Sequence, residues 1–166
     1  MPNDLIAEHI PRLRRYARAL TGERSRADDL VQDTLERAWT RFHLWQRGSN
    51  LRAWLFTVMH NVFINQHHKN KSQRTEALDD TAPELTVPDD TQQSLQLRDL
   101  HNALEQLSLE YREVLLLVGL EQMSYAEVAE ILKIPLGTVM SRLARGREQL
   151  RALLSGQTLV PLRRVK

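Results

Sequence analysis

The chain has 166 residues, 42% of them hydrophobic, with 23 Lys and Arg against 21 Asp and Glu for a formal charge of +2. That composition supports packed cores and excludes global disorder, and the length suits one ordinary domain or two small helical ones. The absence of cysteine excludes disulfides, thiolate metal sites and cysteine nucleophiles; no apolar run reaches membrane-spanning length and the N-terminus lacks a signal pattern, so a cytoplasmic protein is expected.

The first predicted helix carries Leu5, Ile6, Ile10, Leu13, Tyr16, Ala17 and Leu20 at three- and four-residue spacing. Pro11 kinks or restarts it, and Thr21-Gly22 ends it. Ser25 and Asp28 then predict a capping box for a second helix, whose stripe is Leu30, Val31, Leu35, Ala38, Trp39 and Phe42. After the polar loop 46–50, Asn50 is placed to cap a third helix bearing Trp54, Leu55, Val58, Met59, Val62 and Phe63. Its distal end turns polar and basic. From about Ser72 to Asp90 periodicity stops amid acids, polar residues and two prolines, which reads as a flexible linker between two domains.

Helical pattern resumes at Leu95, with Leu97, Leu100, Leu104 and Leu107 following. Ser108 can cap the next helix, which Gly119 weakens near its end. Ser124 and Glu127 predict another capping box, Pro135 and Gly137 punctuate a turn, and a last helix runs to about Leu154. No strand-like alternation occurs, so the expected class is all-α. The expected organisation is an N-terminal domain over 1–72, a flexible acidic linker over 73–94, a C-terminal domain over 95–155 and a basic tail over 156–166.

Charge follows the same division. Residues 1–74 carry +6, residues 75–100 carry −6 and residues 101–166 carry +2. Two basic blocks around an acidic connector suggest two modules that meet a polyanion. The segment Leu120–Leu150 reads as a helix-turn-helix, with Ala129 as the small residue at the crossing and Val139 packing from the second helix. Thr138, Met140, Ser141, Arg142, Arg145 and Arg147 then lie on or near its exposed face, where arginines can pair with phosphates or reach guanine edges.

At these residues the chain resembles the sigma-70 family, specifically its short extracytoplasmic-function (ECF) group. Ala27–Trp39, ADDLVQDTLERAW, is similar to the family's core-polymerase-binding helix, and Leu51–Gln66, LRAWLFTVMHNVFINQ, to its promoter-melting segment. Leu104–Arg151 is similar to its C-terminal promoter-binding domain. The resemblance covers nearly the whole chain except the linker and the last dozen residues.

The resemblance implies that Asp29, Gln32 and Asp33, beside Leu30 and Val31, dock on a coiled coil of the largest polymerase subunit. Helix-dipole stabilisation of Asp28 and Asp29 is a second account of the acids. It implies that Arg47, Gly48, Ser49 and Asn50, with Asn61 on the helix, read an extruded base of the −10 element. Asn65, Lys69 and Lys71 would hold phosphates further along. Trp54 could stack on a base, but its spacing favours the core. The −35 element would be bound as duplex by Thr138, Met140, Ser141, Arg142, Arg145 and Arg147; many relatives carry Lys or Arg where this chain has Met140. The acidic linker either threads the polymerase cleft and RNA exit channel or simply keeps the connector soluble.

No metal site is expected at His60, His67 and His68, because no Asp, Glu or Cys nearby completes a ligand set. No cofactor is expected, and no nucleophile–base pair or phosphate-cradling loop suggests an enzyme. The expected function is that of an ECF sigma factor held in check by an anti-sigma protein. The alternatives are a sigma-like decoy that sequesters an anti-sigma protein and a stand-alone helix-turn-helix regulator.

Overall fold

A computed structural model of the protein describes the backbone of residues 2–74 and 92–156 and the side chains of 3–69 and 95–156. Among the described residues there are eight α-helices and no strand. Helices α1 (Pro2–Ala7), α2 (Ile10–Thr21), α3 (Arg24–Thr40) and α4 (Leu51–Arg74) form the N-terminal half. Helices α5 (Gln92–Gln106), α6 (Leu109–Leu115), α7 (Tyr125–Leu132) and α8 (Leu136–Leu154) form the C-terminal half. The expected tail and most of the expected linker lie outside the described residues. The linker's helical flanks do not: α4 runs to Arg74 and α5 begins at Gln92, so helix enters the expected 73–94 span from both sides.

Pro11 restarts the chain rather than kinking one helix. It sits in the first turn of α2, where its missing N–H and fixed φ cost little. Gly22 closes α2 in the left-handed conformation at φ 73°, donating its N–H to Arg18 O at 2.9 Å. A Cβ there would also come within 2.5 Å of Glu105 Oε1 and 2.9 Å of His101 Cε1, both from α5. The left-handed backbone favours glycine here, and any side chain would displace the ends of Glu105 and His101.

The expected Ser25–Asp28 capping box does not form. The N-cap is Glu23, in an extended conformation, and Ser25 is already the second helical residue. The tight exit from Gly22 returns the chain to helix at Arg24, which leaves Ser25 no place outside it. Thr21 Oγ1 bridges the junction, donating to Ala17 O at 2.7 Å, and Arg26 pairs with Glu23 at 3.1 Å. Asp28 and Asp29 consequently lie beyond the first turn, which holds no acid, so the helix dipole does not account for them.

Asn50 does cap α4, its Oδ1 accepting from Ala53 N at 3.2 Å. At 24 residues α4 extends about 36 Å. It buries Leu55, Phe56, Met59, Val62 and Phe63, with Phe56 edge-on to Tyr16 at 5.1 Å. Trp54 packs against the core and stands edge-on to Phe42, as its spacing favoured. On α5 the outcome differs. Leu95, Leu97 and Leu100 are exposed, and burial starts at Ala103, toward the end of α5 that packs on the rest of the molecule among the described residues.

Helix α6 widens into a π turn over Leu116–Leu120, where Glu121 N reaches back five residues to Leu116 O at 3.0 Å. The Ser124–Glu127 capping box on α7 is complete, with bonds of 3.1 and 3.2 Å. The left-handed residue of the following turn is Lys133, at φ 55°, and Gly137 already lies inside α8. Gly146 marks the close crossing of α8 on α6: a Cβ there would sit 3.2 Å from Leu115 and 3.3 Å from Tyr111.

The two halves pack on one another. Helix α4 lies against α7, and α2 against the π turn. One continuous hydrophobic cluster runs from Ile6 and Leu13 through Leu55 and Met59 to Val128, Ile131, Val139 and Leu143.

Two glycine replacements should move stability in opposite directions. Gly22→Ala is expected to destabilise by about 1–3 kcal/mol through left-handed strain and the clash with α5. Gly137→Ala, helical and with nothing within 4 Å of a new Cβ, should stabilise by about 0.5–1 kcal/mol. Urea denaturation of both variants measures the difference.

Candidate nucleic-acid interface

Helix α8 turns Val139, Leu143 and Gly146 into the core, which leaves the opposite surface to solvent. Met140, Ser141, Arg145 and Arg147 are exposed, while Thr138 and Arg142 are half-buried. At 100° per residue, Thr138, Ser141, Arg142 and Arg145 fall within an arc of about 100°, with Met140 and Arg147 on the far flank. The first four therefore share one face of α8, and the other two lie on a different one. Arg142 lies 3.8 Å from Glu110 of α6. Ser141 Oγ donates to Thr138 O at 3.1 Å and keeps its acceptor capacity.

The loop before α4 is tightly folded. Gly48 adopts φ 91°, Ser49 N donates to Gln46 O at 3.1 Å, and the Ser49 hydroxyl bonds to the same carbonyl. Arg47, Gly48, Ser49 and Asn50 are all exposed. Asn50 is nevertheless engaged twice, since its Nδ2 donates to Glu127 Oε2 of α7 at 2.9 Å. Asn61, Asn65 and Lys69 follow at four-residue intervals and form one stripe along α4. The Lys71 side chain lies outside the described residues.

Asn65 and Lys69 border a cleft of about 710 Å³ between α3 and α4, with Asp33, Gln66, Arg37 and Arg41 opposite or beside them. Arg37 and Arg41 were not among the expected residues. Their signal was present, as a basic pair four apart at the end of α3, but nothing in the sequence pairs α3 with α4. Asp29, Gln32 and Asp33 are exposed along α3, and Gln66 Nε2 donates to Asp33 Oδ2. Leu30 and Val31 are a correction: at 0% and 5% exposure they belong to the core and present no surface to a partner. Helical spacing sends them inward while the residues on either side face out.

Sequence reasoning missed the polar seam between the halves. Arg15 Nη2 meets both oxygens of buried Glu121 at 3.2 and 3.3 Å, and Arg52 donates to Glu121 O at 3.3 Å. Arg52 also lies 4.0 Å from Glu127, and His60 Nδ1 is 2.9 Å from Glu113 Oε2. Arg112 donates to Leu104 O, Glu105 O and Leu107 O and, across the seam, to Leu20 O at 2.9 Å. In the sequence these acids look like ordinary solvated charges.

Two family models match the chain: the Sigma2 domain of PhyR over residues 6–60, and Sigma-70, region 4 over residues 97–150. Over 152 residues the chain is 39% identical to the ECF RNA polymerase sigma factor EcfG of Rhodopseudomonas palustris (strain TIE-1), covering 92% of this chain and 83% of that one. The sigma factor RpoE of Bartonella quintana, solved in complex with the anti-sigma factor NepR, is 35% identical with a TM-score of 0.81. That match covers 92% of this chain and 98% of the other. The anti-anti-sigma factor PhyR of Bartonella quintana, solved with NepR, is 22% identical with a TM-score of 0.60 over 89% of this chain and 49% of that one, a likeness of fold alone.

Behind the seam, burial raises the Tyr16 hydroxyl well above its ordinary pKa, with the Glu113 and Glu121 carboxylates adding to the effect. A phenol whose folded pKa is raised contributes stability that is intact below its unfolded value of about 10 and is lost as pH climbs above it. Urea titrations from pH 8 to 11 should show stability falling above about pH 10, with a shallower fall in Tyr16→Phe.

Proposed function

The chain belongs to the ECF sigma factors of the sigma-70 family, and from that membership we propose how its surfaces divide the work of transcription initiation. Core RNA polymerase docks on the exposed side of α3 through Asp29, Gln32 and Asp33, with Gln66 holding the Asp33 carboxylate. An acidic patch on an otherwise basic domain suits a basic partner helix. The loop Arg47–Asn50 and the stripe Asn61, Asn65 and Lys69, continued by Lys71, take the −10 element as its bases leave the duplex. Capturing an extruded base needs polar edges with positive charge nearby, and Arg37 and Arg41 add to that charge.

The −35 element is bound as duplex by α8. Thr138, Ser141, Arg142 and Arg145 face base edges and the near backbone, and Arg147 reaches the far backbone. Met140, on the same flank as Arg147, offers the groove wall an apolar contact in place of a cation. The protein works in the cytoplasm and contributes no catalytic group; the chemistry is the polymerase's. Similarity to RpoE, solved with NepR, supports control by an anti-sigma protein. The observation that carries this reading is the placement of α8, which buries its aliphatic side while Ser141, Arg145 and Arg147 stay in solvent.

A second reading, a decoy that sequesters an anti-sigma protein, is favoured by the match of residues 6–60 to the PhyR domain. Run-off transcription separates the two. Purified protein plus core polymerase should give promoter-dependent transcripts absent with core alone, whereas a decoy gives none and binds neither core nor DNA. Arg145→Ala should weaken −35 duplex binding by about 1–3 kcal/mol, and Asp33→Ala should weaken core binding by about 1–3 kcal/mol. Unchanged affinity in either assay sinks that residue's assignment.

A further inference from the structure

The arginines on the exposed side of α8 are not equivalent. Arg145 and Arg147 stand in solvent with no ion pair among the described residues. Arg142 is half-buried, and its Nη2 lies 3.8 Å from Oε1 of Glu110, which belongs to α6. On α8 it shares the arc of Thr138, Ser141 and Arg145, at the edge nearest the buried side.

The packing of α8 on α6 creates that contact. Gly146, one turn beyond Arg142, lies so close to α6 that a Cβ would sit 3.2 Å from Leu115 and 3.3 Å from Tyr111. The close crossing sets Arg142 beside Glu110, the residue before Tyr111. The backbone of Glu110 is fixed in turn, because Arg112 ties the start of α6 to the carbonyls of Leu104, Glu105 and Leu107. A carboxylate on a fixed helix thus faces one arginine of the recognition helix and leaves the others alone.

We propose that Glu110 is a positioning residue for promoter recognition, holding Arg142 toward one base pair of the −35 element while Arg145 and Arg147 take phosphates. The inference rests on the reading of α8 as the helix that meets the −35 duplex. A long side chain must give up rotamer freedom to read a base edge, and a carboxylate already beside its guanidinium lessens that loss. With Nη2 turned to Glu110, the other N–H donors of the planar fork remain for the acceptors of a guanine edge. Phosphate contacts carry no sequence information and need no such hold. The same carboxylate repels phosphate oxygens, which discourages Arg142 from settling on the backbone. Glu110 is 66% exposed, so the pair is screened, and its loss should change base preference by about two- to fivefold.

The test is a promoter active in the run-off assay, with its −35 element randomised and a barcode in each transcript. Sequencing the transcripts made by the holoenzyme gives the base preference at every −35 position. Arg142→Ala should relax the preference at one position about tenfold. Glu110→Gln should relax the same position about two- to fivefold, leave the others unchanged, and add nothing when combined with Arg142→Ala. Asp99→Asn removes an equal charge from an exposed site on α5 and should leave that preference intact. Far-UV circular dichroism checks that each variant remains helical. Glu110→Gln without effect, a uniform change at all positions, or a matching change in Asp99→Asn overturns the positioning role and leaves the −35 reading standing. Arg142→Ala without a position-specific effect overturns it as well. A wild-type holoenzyme indifferent to every −35 base removes the −35 reading itself, and this inference with it.

Discussion

The guanidinium of Arg112 answers four backbone carbonyls at once, three at the end of α5 and one, that of Leu20, at the end of α2. Helix ends carry unpaired carbonyls that must find donors, and here one side chain serves the ends of helices from both halves of the molecule. Burial lowers its basicity from the usual arginine value, while the Glu105 and Glu113 carboxylates oppose that effect. Hydrogen bonds to a charged donor contribute about 1.5–3 kcal/mol each, so the bond to Leu20 O ties the two halves where their apolar faces meet. Gly22 lies at the same junction, in the left-handed conformation at φ 73°, with the Glu105 and His101 side-chain ends beside it.

Around that anchor the charge pattern acquires a second meaning. The surplus of +6 in residues 1–74 is not all available to nucleic acid. Arg15 and Arg52 are spent on Glu121 and Glu127 of the other half. Cations that do face solvent or the α3–α4 cleft include Arg37, Arg41, Arg47 and Lys69, and on α8 Arg145 and Arg147.

Most of the architecture was legible in the sequence because it is local. Helical periodicity located the helices, the Ser124–Glu127 box and the Asn50 cap formed as read, and Gly22 ended α2. The misreadings share a cause. Ser25 matched a capping pattern but lost to Glu23, because the exit geometry of Gly22 decides where α3 begins. Leu95, Leu97 and Leu100 continued the leucine periodicity of α5 beyond the point where another helix covers it. Leu30 and Val31 sat beside the docking acids in sequence but face inward in space. Gly137 looked like the turn residue, whereas the bond from Ile134 N to Ala129 O places Lys133 in the left-handed position.

Sequence pattern alone was enough for an all-α chain, a helix-turn-helix with an arginine-bearing second helix, and a polar, basic end to α4, since each depends on residues within a few turns of one another. Which acids face which donors was a tertiary decision. Glu113, Glu121 and Glu127 lie 53, 106 and 77 residues from His60, Arg15 and Asn50, and no local pattern encodes a pairing across that distance. Helix faces repeat every few residues and announce themselves; a contact between two faces exists only once both helices have been placed.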